Sequence, residues 1–132
     1  DGGYSGIPVE DYLTQANEQR MVIVQIEDPE AIEHLDNIAA TPGIDMLFFG
    51  PADFTHGLGV IPDFDDPRVE DARRRVAEVA RSHGKFAGTV GAVDQLDRLH
   101  ALGYTFVNSG ADVLGLTAYF ADIARAAGKH RA

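Results

Sequence analysis

The feature that most constrains the fold is a fourfold alternation of short apolar runs with helix-like segments. The apolar runs occupy residues 21–27, 44–50, 85–91 and 104–110 and are rich in β-branched and aromatic side chains. The first run is β-branched and almost continuously apolar, which predicts a parallel strand buried on both faces, and the second is also predicted to be a buried strand. The sequence therefore predicts an α/β protein with four consecutive parallel strands.

A helix-like segment follows each of these runs, at residues 29–40, 67–83, 92–102 and 112–127, and one more precedes them at 8–18. Asp65 or Asp66 is placed to cap the second of these segments, and Gly84 to end it. This order predicts the C-terminal half of a (β/α)8 TIM barrel, with about four βα units in a single domain over residues 1–132 and a terminal helix at 112–127. Complete barrels need about 250 residues, so we expect an N-terminal half to be missing, or a second chain to pair with this one.

Composition narrows the possible functions. The chain has 132 residues, no cysteine and a net charge of −10. The absence of cysteine excludes disulfides and thiolate metal sites, and the acidic charge argues against nucleic acid as a partner. No apolar run reaches the length of about 18 residues that a membrane span needs, and the glycines of GTVGAV lack the dinucleotide-binding spacing. We expect a cytoplasmic protein.

Two carboxylates stand out, Glu27 at the end of the first apolar run and Asp53 three residues beyond Gly50 at the end of the second. Their separation of 26 residues is one βα repeat, so we expect the two to lie at the same level on neighbouring strands. In a parallel barrel the strand ends meet at one rim and neighbouring strands lie about 4.8 Å apart, so both side chains can reach one cation. Oxygen-only ligation suits Mg²⁺ or Mn²⁺. On capping preferences alone, an alternative stays open, in which the two acids only cap the helices that follow them.

The segments QIED, GIDMLFFGPADFTHGLG and GYTFVNSGAD, in that order and at that spacing, resemble the HpcH/HpaI family of metal-dependent class II pyruvate aldolases. This aldolase/citrate lyase family also has citrate-lyase-like members. The resemblance runs from about residue 12 to the C-terminus. It implies that Glu27 and Asp53 are the protein ligands of a divalent metal, Mg²⁺ or Mn²⁺ with Co²⁺ as a further candidate. It also implies that Gln25 is catalytic, contacting metal-bound water or a substrate oxygen.

The resemblance further implies that Gly50, Pro51 and Ala52 present backbone N–H groups to the carboxylate of a keto acid. The implied reaction is reversible cleavage of a 4-hydroxy-2-keto acid to pyruvate and an aldehyde, through a metal-stabilised enolate. A histidine and an arginine that the family uses belong to the first half of the barrel and have no counterpart here. Two alternatives stay open: a citrate-lyase-like acyl-CoA lyase on the same scaffold, and a non-catalytic half-barrel.

Other residues receive plainer interpretations. Family members commonly have leucine and serine where this chain has Phe54 and Thr55, and we expect Phe54 to alter the pocket wall. His56 lies on the loop that would face the site, and we weigh a proton-transfer role against the favoured interpretation as a solvent-exposed loop residue. The arginines at 73–75, with Glu70, Asp71 and Glu78 around them, are interpreted as salt-bridged charges facing solvent in preference to an anion site. The apolar residues of the last helix are expected to pack against their own barrel; the resemblance adds exchange of this helix between subunits of a homo-oligomer.

Overall fold

The computed structural model describes residues 6–61 and 63–128, which contain one four-stranded sheet flanked by helices. The strands are β1 (Ile23–Ile26), β2 (Met46–Phe49), β3 (Phe86–Val90) and β4 (Phe106–Asn108). They are all parallel and lie in the order β1-β2-β3-β4. The predicted α/β class and the succession of parallel strands are confirmed, although each strand is shorter than the apolar run that contains it.

Six α-helices accompany the sheet in the described part of the chain. They are α1 (Val9–Gln19), α2 (Leu35–Ala40), α3 (Pro51–Gly57), α4 (Pro67–Ser82), α5 (Leu96–Leu102) and α6 (Asp112–Gly128). The first turn of two predicted helices is instead 3₁₀, at Pro29–His34 and Val93–Gln95. The short helix α3 falls in a region that the sequence analysis left as a loop.

The core lies between the sheet and α4, which packs against both β2 and β3. Val69, Val76 and Val79 of this helix are buried, as the helical periodicity predicts. Asp66 caps the helix by accepting a hydrogen bond of 2.8 Å from the Arg68 N–H. The chain then turns at Gly84, whose φ of +67° favours glycine, so both predicted helix ends are confirmed.

The first strand does not have two buried faces. Met21, Val22 and Ile23 keep 49%, 49% and 46% of their surface exposed. The physical reason is that β1 is an edge strand, paired only with β2, and nothing in the described part of the chain covers its second face. The prediction of burial on both faces is therefore wrong for β1 in this chain.

The last helix has no buried residue. The exposed large apolar side chains of α6 are Val113, Leu114, Leu116, Tyr119, Phe120 and Ile123. The expectation that they pack against their own barrel is wrong for the described residues, because no core of this chain reaches them. None of the described helices is both long enough and apolar enough to cross a membrane.

Candidate functional site

Glu27 directly follows β1, at the C-terminal edge of the sheet. The pairing of β1 with β2 ends at Ile26 opposite Phe49, and the Gly50 N–H extends it by donating a hydrogen bond of 2.9 Å to the Ile26 carbonyl. Glu27 therefore lies beside Gly50. A β-carbon at position 50 would come within 3.2 Å of the Glu27 β-carbon and 3.3 Å of Glu27 Oε2, so a larger residue there would press on the Glu27 side chain.

Gln25 lies two residues before Glu27 and on the same side of the strand. Its Nε2 donates a hydrogen bond to Glu27 Oε2. This bond fixes the direction of the carboxylate and leaves the other carboxylate oxygen free for another partner. An amide nitrogen carries two hydrogens, so Gln25 keeps one N–H for water or a substrate.

Asp53 lies in the first turn of α3 and not at the end of a strand. The helix begins with Pro51 at its first helical position. Proline is favoured there because its fixed φ suits a helix start and its missing N–H is not needed. The prediction that Glu27 and Asp53 occupy the same level on neighbouring strands is therefore wrong in detail, since the sheet neighbour of Glu27 is Gly50.

The two carboxylates nevertheless line one open cleft of about 560 Å³, between the segment that follows β1 and helix α3. We call it the acidic cleft. Its walls are formed by Glu27, Asp28, Pro29, Glu30, Asp53, His56 and Gly57. Glu27 and Asp53 thus line the same cleft. Four of its seven lining residues are acidic.

Close packing of Pro29 on Gly57 sets the width of the acidic cleft. A β-carbon at position 57 would lie 2.6 Å from Pro29 Cδ, which is closer than any real contact, so the helix approaches the loop through a glycine. Pro29 lies two residues after Glu27, and Gly57 lies one helical turn after Asp53. This contact therefore holds the two carboxylate-bearing elements together.

The donor set of the acidic cleft fits a hard divalent cation only in part. Glu27 and Asp53 supply oxygen ligands, which Mg²⁺ and Mn²⁺ prefer. Within residues 6–61 and 63–128, no group of three or more His, Asp or Glu side chains is arranged to hold a metal. A cation held by these two carboxylates would therefore keep most of its coordination positions for water or for substrate oxygens.

The expected contribution of Gly50, Pro51 and Ala52 as N–H donors narrows to Ala52. The Gly50 N–H is already bonded to the Ile26 carbonyl, and proline has no N–H. Ala52 lies in the first turn of α3, where backbone N–H groups have no carbonyl partner within the helix. Binding of a keto-acid carboxylate at this point stays a prediction.

His56 was interpreted mainly as a solvent-exposed loop residue, with a role at the site as the less favoured alternative. It is exposed, as expected, but it belongs to α3 rather than to a loop, and it lines the acidic cleft. A helical start at Pro51 would have placed it three residues after Asp53 and so on the same helix face. The proline at the first helical position was the available signal.

Phe54 and Thr55 do not form the wall of the acidic cleft. Phe54 is 3% exposed and stacks edge-to-face on Phe49, with ring centroids 5.2 Å apart. Thr55 is buried, and its hydroxyl donates a hydrogen bond of 2.7 Å to the Ala52 carbonyl. The expectation that Phe54 alters the pocket wall is wrong, because this face of α3 turns toward the core.

The three consecutive arginines of α4 differ in environment. Arg74 pairs with Asp71, and Arg75 pairs with Asp36 at 2.7 Å, both on the exposed side of the helix as predicted. Arg73 does not face solvent: it is only 7% exposed. The interpretation as solvent-facing charges is therefore wrong for Arg73, whose position between Val69 and Val76 in the helical repeat directs it inward.

Comparisons with known proteins agree with this geometry. A model of the HpcH/HpaI aldolase/citrate lyase family matches residues 4–118. A 5-keto-4-deoxy-D-glucarate aldolase of Enterobacter sp. (strain 638) is 36% identical over 106 residues, which cover 80% of this chain and 41% of that protein. A hydroxypyruvate/pyruvate aldolase of Deinococcus radiodurans is 43% identical over 109 residues, which cover 79% of this chain and 38% of that protein.

A solved structure shows the same fold. The HpcH/HpaI aldolase/citrate lyase family protein from Burkholderia cenocepacia J2315 matches with a TM-score of 0.80 at 35% identity, covering 89% of this chain and 46% of that one. The chain thus spans less than half the length of these relatives, which fits the predicted half-barrel. On the family match and these identities, the chain belongs to the HpcH/HpaI aldolase/citrate lyase family.

Proposed function

We propose that the protein containing this chain catalyses the reversible aldol cleavage of 4-hydroxy-2-keto acids to pyruvate and an aldehyde, with a divalent cation bound by Glu27 and Asp53. The observation that carries this proposal is the acidic cleft, where both carboxylates meet at the C-terminal edge of a parallel sheet. This edge is where barrel enzymes place their active sites. The names of the aldolase relatives support the same reaction class.

The residues of the chain would divide the work as follows. Glu27 and Asp53 hold the cation, which supplies positive charge for the C2 carbonyl oxygen of the keto acid. Gln25 orients the Glu27 carboxylate through its hydrogen bond and offers its second N–H to water or to a substrate oxygen. The Ala52 N–H, in the first turn of α3, would donate a hydrogen bond to the keto-acid carboxylate.

The test is a titration of the complete protein that contains this chain with Mn²⁺, combined with an assay of condensation between pyruvate and aldehydes. Glu27→Gln and Asp53→Asn keep the size of each side chain but remove its charge, so each should weaken Mn²⁺ binding by about tenfold or more and abolish condensation. Glu30→Gln is the matched control, because Glu30 lines the same cleft without an assigned role. Equal effects of all three changes would show a general acidic surface and contradict the proposal.

The same assay separates the alternatives. Turnover of acyl-CoA substrates in place of keto acids would favour the citrate-lyase-like reaction. Mn²⁺ binding without turnover of either class by the full chain would favour a non-catalytic barrel. Either result would replace the proposed reaction, but neither would by itself contradict Glu27 and Asp53 as the metal ligands.

We also propose that the protein forms homo-oligomers in which α6 is exchanged between subunits. The exposed apolar side chains of this helix support the proposal, because water contact with them is unfavourable. Light scattering on the full chain should give a mass above that of one subunit, and Phe120→Asp should lower it. A monomer in the unmodified protein would contradict the exchange.

A further inference from the structure

A second cavity, of about 450 Å³, opens at the C-terminal edge of the sheet beside α4. We call it the Arg73 cavity. Its polar lining side chains are Arg73, Gln95 and Asn108, and it shares no lining residue with the acidic cleft. Apolar walls come from Pro51, Val90 and Leu114, among others. A volume of this size is within the range of small-molecule sites, which is about 300–1,000 Å³.

Arg73 is the unusual member of this cavity, because a buried guanidinium needs partners that it does not have. Its Nε is fully buried and has no hydrogen-bond partner among the described residues. The nearest acidic atom, Glu70 Oε2, lies 3.5 Å from Nε, which is too long for a good hydrogen bond. The guanidinium carbon also lies 5.7 Å from the centroid of the Phe49 ring, a cation–π contact that supplies no hydrogen-bond acceptor in the plane of Nε.

The local charge balance leaves Arg73 positive. Glu70 forms a much closer pair with Arg98, whose NH2 lies 2.6 Å from the same Oε2 atom. One carboxylate thus serves two arginines, and the shorter contact goes to the partner outside the cavity. A buried, underneutralised cation is costly unless a further negative group approaches it.

The amides of the cavity are suited to an anion as well. The Gln95 Oε1 accepts a hydrogen bond of 3.0 Å from the Ala92 N–H, which fixes the side chain and leaves its NH₂ group as a donor.

The position of the cavity in the fold points the same way. Asn108 ends β4 and Val90 ends β3, so the cavity lies beyond the last two strands. Parallel barrels frequently bind phosphate groups in the loops after their last two strands.

We propose that the Arg73 cavity is a binding site for a small molecule that carries an oxyanion, a phosphate or a carboxylate group. The Arg73 guanidinium provides the charge and the donors, and Gln95 and Asn108 provide further donors. The site is distinct from the acidic cleft, with which it shares no lining residue. It does not depend on the proposed aldolase reaction.

The test is a calorimetric titration of the complete protein that contains this chain, at constant ionic strength. Inorganic phosphate and malonate are titrated separately. Arg73→Met keeps the length of the side chain and removes the charge, and we expect it to weaken anion binding by about tenfold or more, since hydrogen bonds to charged groups are the strong ones. Arg74→Met is the matched control: it removes the same charge from the exposed side of the same helix and should leave binding unchanged. Binding of phosphate alone or of malonate alone would identify which oxyanion the site prefers.

Two further measurements keep the test decisive. In the unmodified protein, the Arg73 Nε–H resonance should shift on addition of the anion. Asn108→Ala, on another wall, should weaken binding by about threefold or more even where Arg73→Met does not fold. Failure of both anions to bind, equal binding by the two arginine variants, or unchanged binding by Asn108→Ala would overturn the proposal and leave Arg73 as a structural residue. Mn²⁺ binding should be the same in all three variants, which separates this result from that of the acidic cleft.

Discussion

Gly50 lies so close to Gln25 and Glu27 that a β-carbon at position 50 would be 3.0 Å from Gln25 Nε2 and 3.3 Å from Glu27 Oε2. The φ of Gly50 is −102°, which any residue adopts. Glycine is therefore favoured by the close contact with the Gln25–Glu27 pair and not by the backbone conformation.

Gly50→Ala should consequently disturb the Gln25–Glu27 pair with little effect on the fold. We expect a loss of Mn²⁺ affinity of about tenfold, the size of effect seen when a residue that orients a metal ligand is altered. A Mn²⁺ titration measures it. Gly115→Ala is the control, because a β-carbon there meets no other atom within 4 Å. Unchanged affinity in Gly50→Ala would show that the pair does not hold the cation.

Gly57→Ala should push α3 away from Pro29. A methyl group favours a helix, but here it would overlap the proline ring, and we expect a net loss of about 1–3 kcal/mol in the free energy of unfolding. The widened acidic cleft should bind Mn²⁺ more weakly, although neither carboxylate is changed. Denaturant unfolding and the same titration measure the two effects.

The overlap has a direct check in a double-mutant cycle. Pro29→Ala removes the ring atoms that the new methyl group would meet, so the double variant should recover most of the stability lost in Gly57→Ala. Additive losses in the cycle would show that the contact between position 57 and position 29 does not set the position of α3.

Tyr104 is 1% exposed, and its hydroxyl donates a hydrogen bond of 2.7 Å to the Arg73 carbonyl. Tyr104→Phe leaves this carbonyl without its partner in a buried place, and we expect a loss of about 1 kcal/mol in the free energy of unfolding. Tyr119→Phe, on the exposed surface of α6, is the control and should change stability little. Denaturant unfolding at neutral pH compares the two variants.

The same tyrosine predicts a loss of stability in alkali. Burial raises the pKa of Tyr104 above its ordinary value of 10.0. Above about pH 10 the unfolded chain releases the phenolic proton while the folded protein retains it, so the free energy of unfolding should fall with rising pH, by about 1.4 kcal/mol per unit from this group. Tyr104→Phe should reduce the slope by that amount, and an unchanged slope would contradict the assignment to this residue.

The lowered pKa of Asp66 predicts that the folded state loses stability as the pH falls in the acid range. Hydrogen bonds from Arg68 hold the pKa of Asp66 at about 2, below its ordinary value of 3.8. The carboxylate therefore stabilises the folded state above pH 3.8, and this contribution is lost as the pH falls toward 2. Asp66→Ala should lower the melting temperature at pH 6 more than Asp65→Ala, and the difference between the variants should disappear near pH 2. A difference that persists there would assign the effect to packing rather than to the charged cap.

The succession of strands and helices was predictable because it depends on local patterns. The apolar periodicity of α4 identified Val69, Val76 and Val79 as core residues, and the same repeat contains Arg73. Arg73 was assigned to solvent because the acidic residues at 70, 71 and 78 offer salt-bridge partners on the surface of a helix. The repeat was the better guide here, since a helix presents position 73 to the core whatever residue occupies it.

The two carboxylates of the site were predictable from the sequence, but the elements and contacts that bring them together were not. Glu27 and Asp53 were grouped because the ends of parallel strands meet at one edge, and the structure places both in the acidic cleft. The helix α3, which carries Asp53 and His56, was missed because its seven residues show too little periodicity to identify. The Gly50–Glu27 and Gly57–Pro29 contacts join residues far apart in the chain, and no local pattern reports such contacts.

The sequence alone determined the α/β class, the order of the elements, the caps of α4 and the pair of carboxylates, because each depends on residues that are close in the chain or one repeat apart. Only the tertiary structure decided which glycines bring the two carboxylates together, which arginine is buried and which faces remain uncovered. Those outcomes depend on how separate elements pack, and packing is set by the distances between side chains that the sequence does not contain.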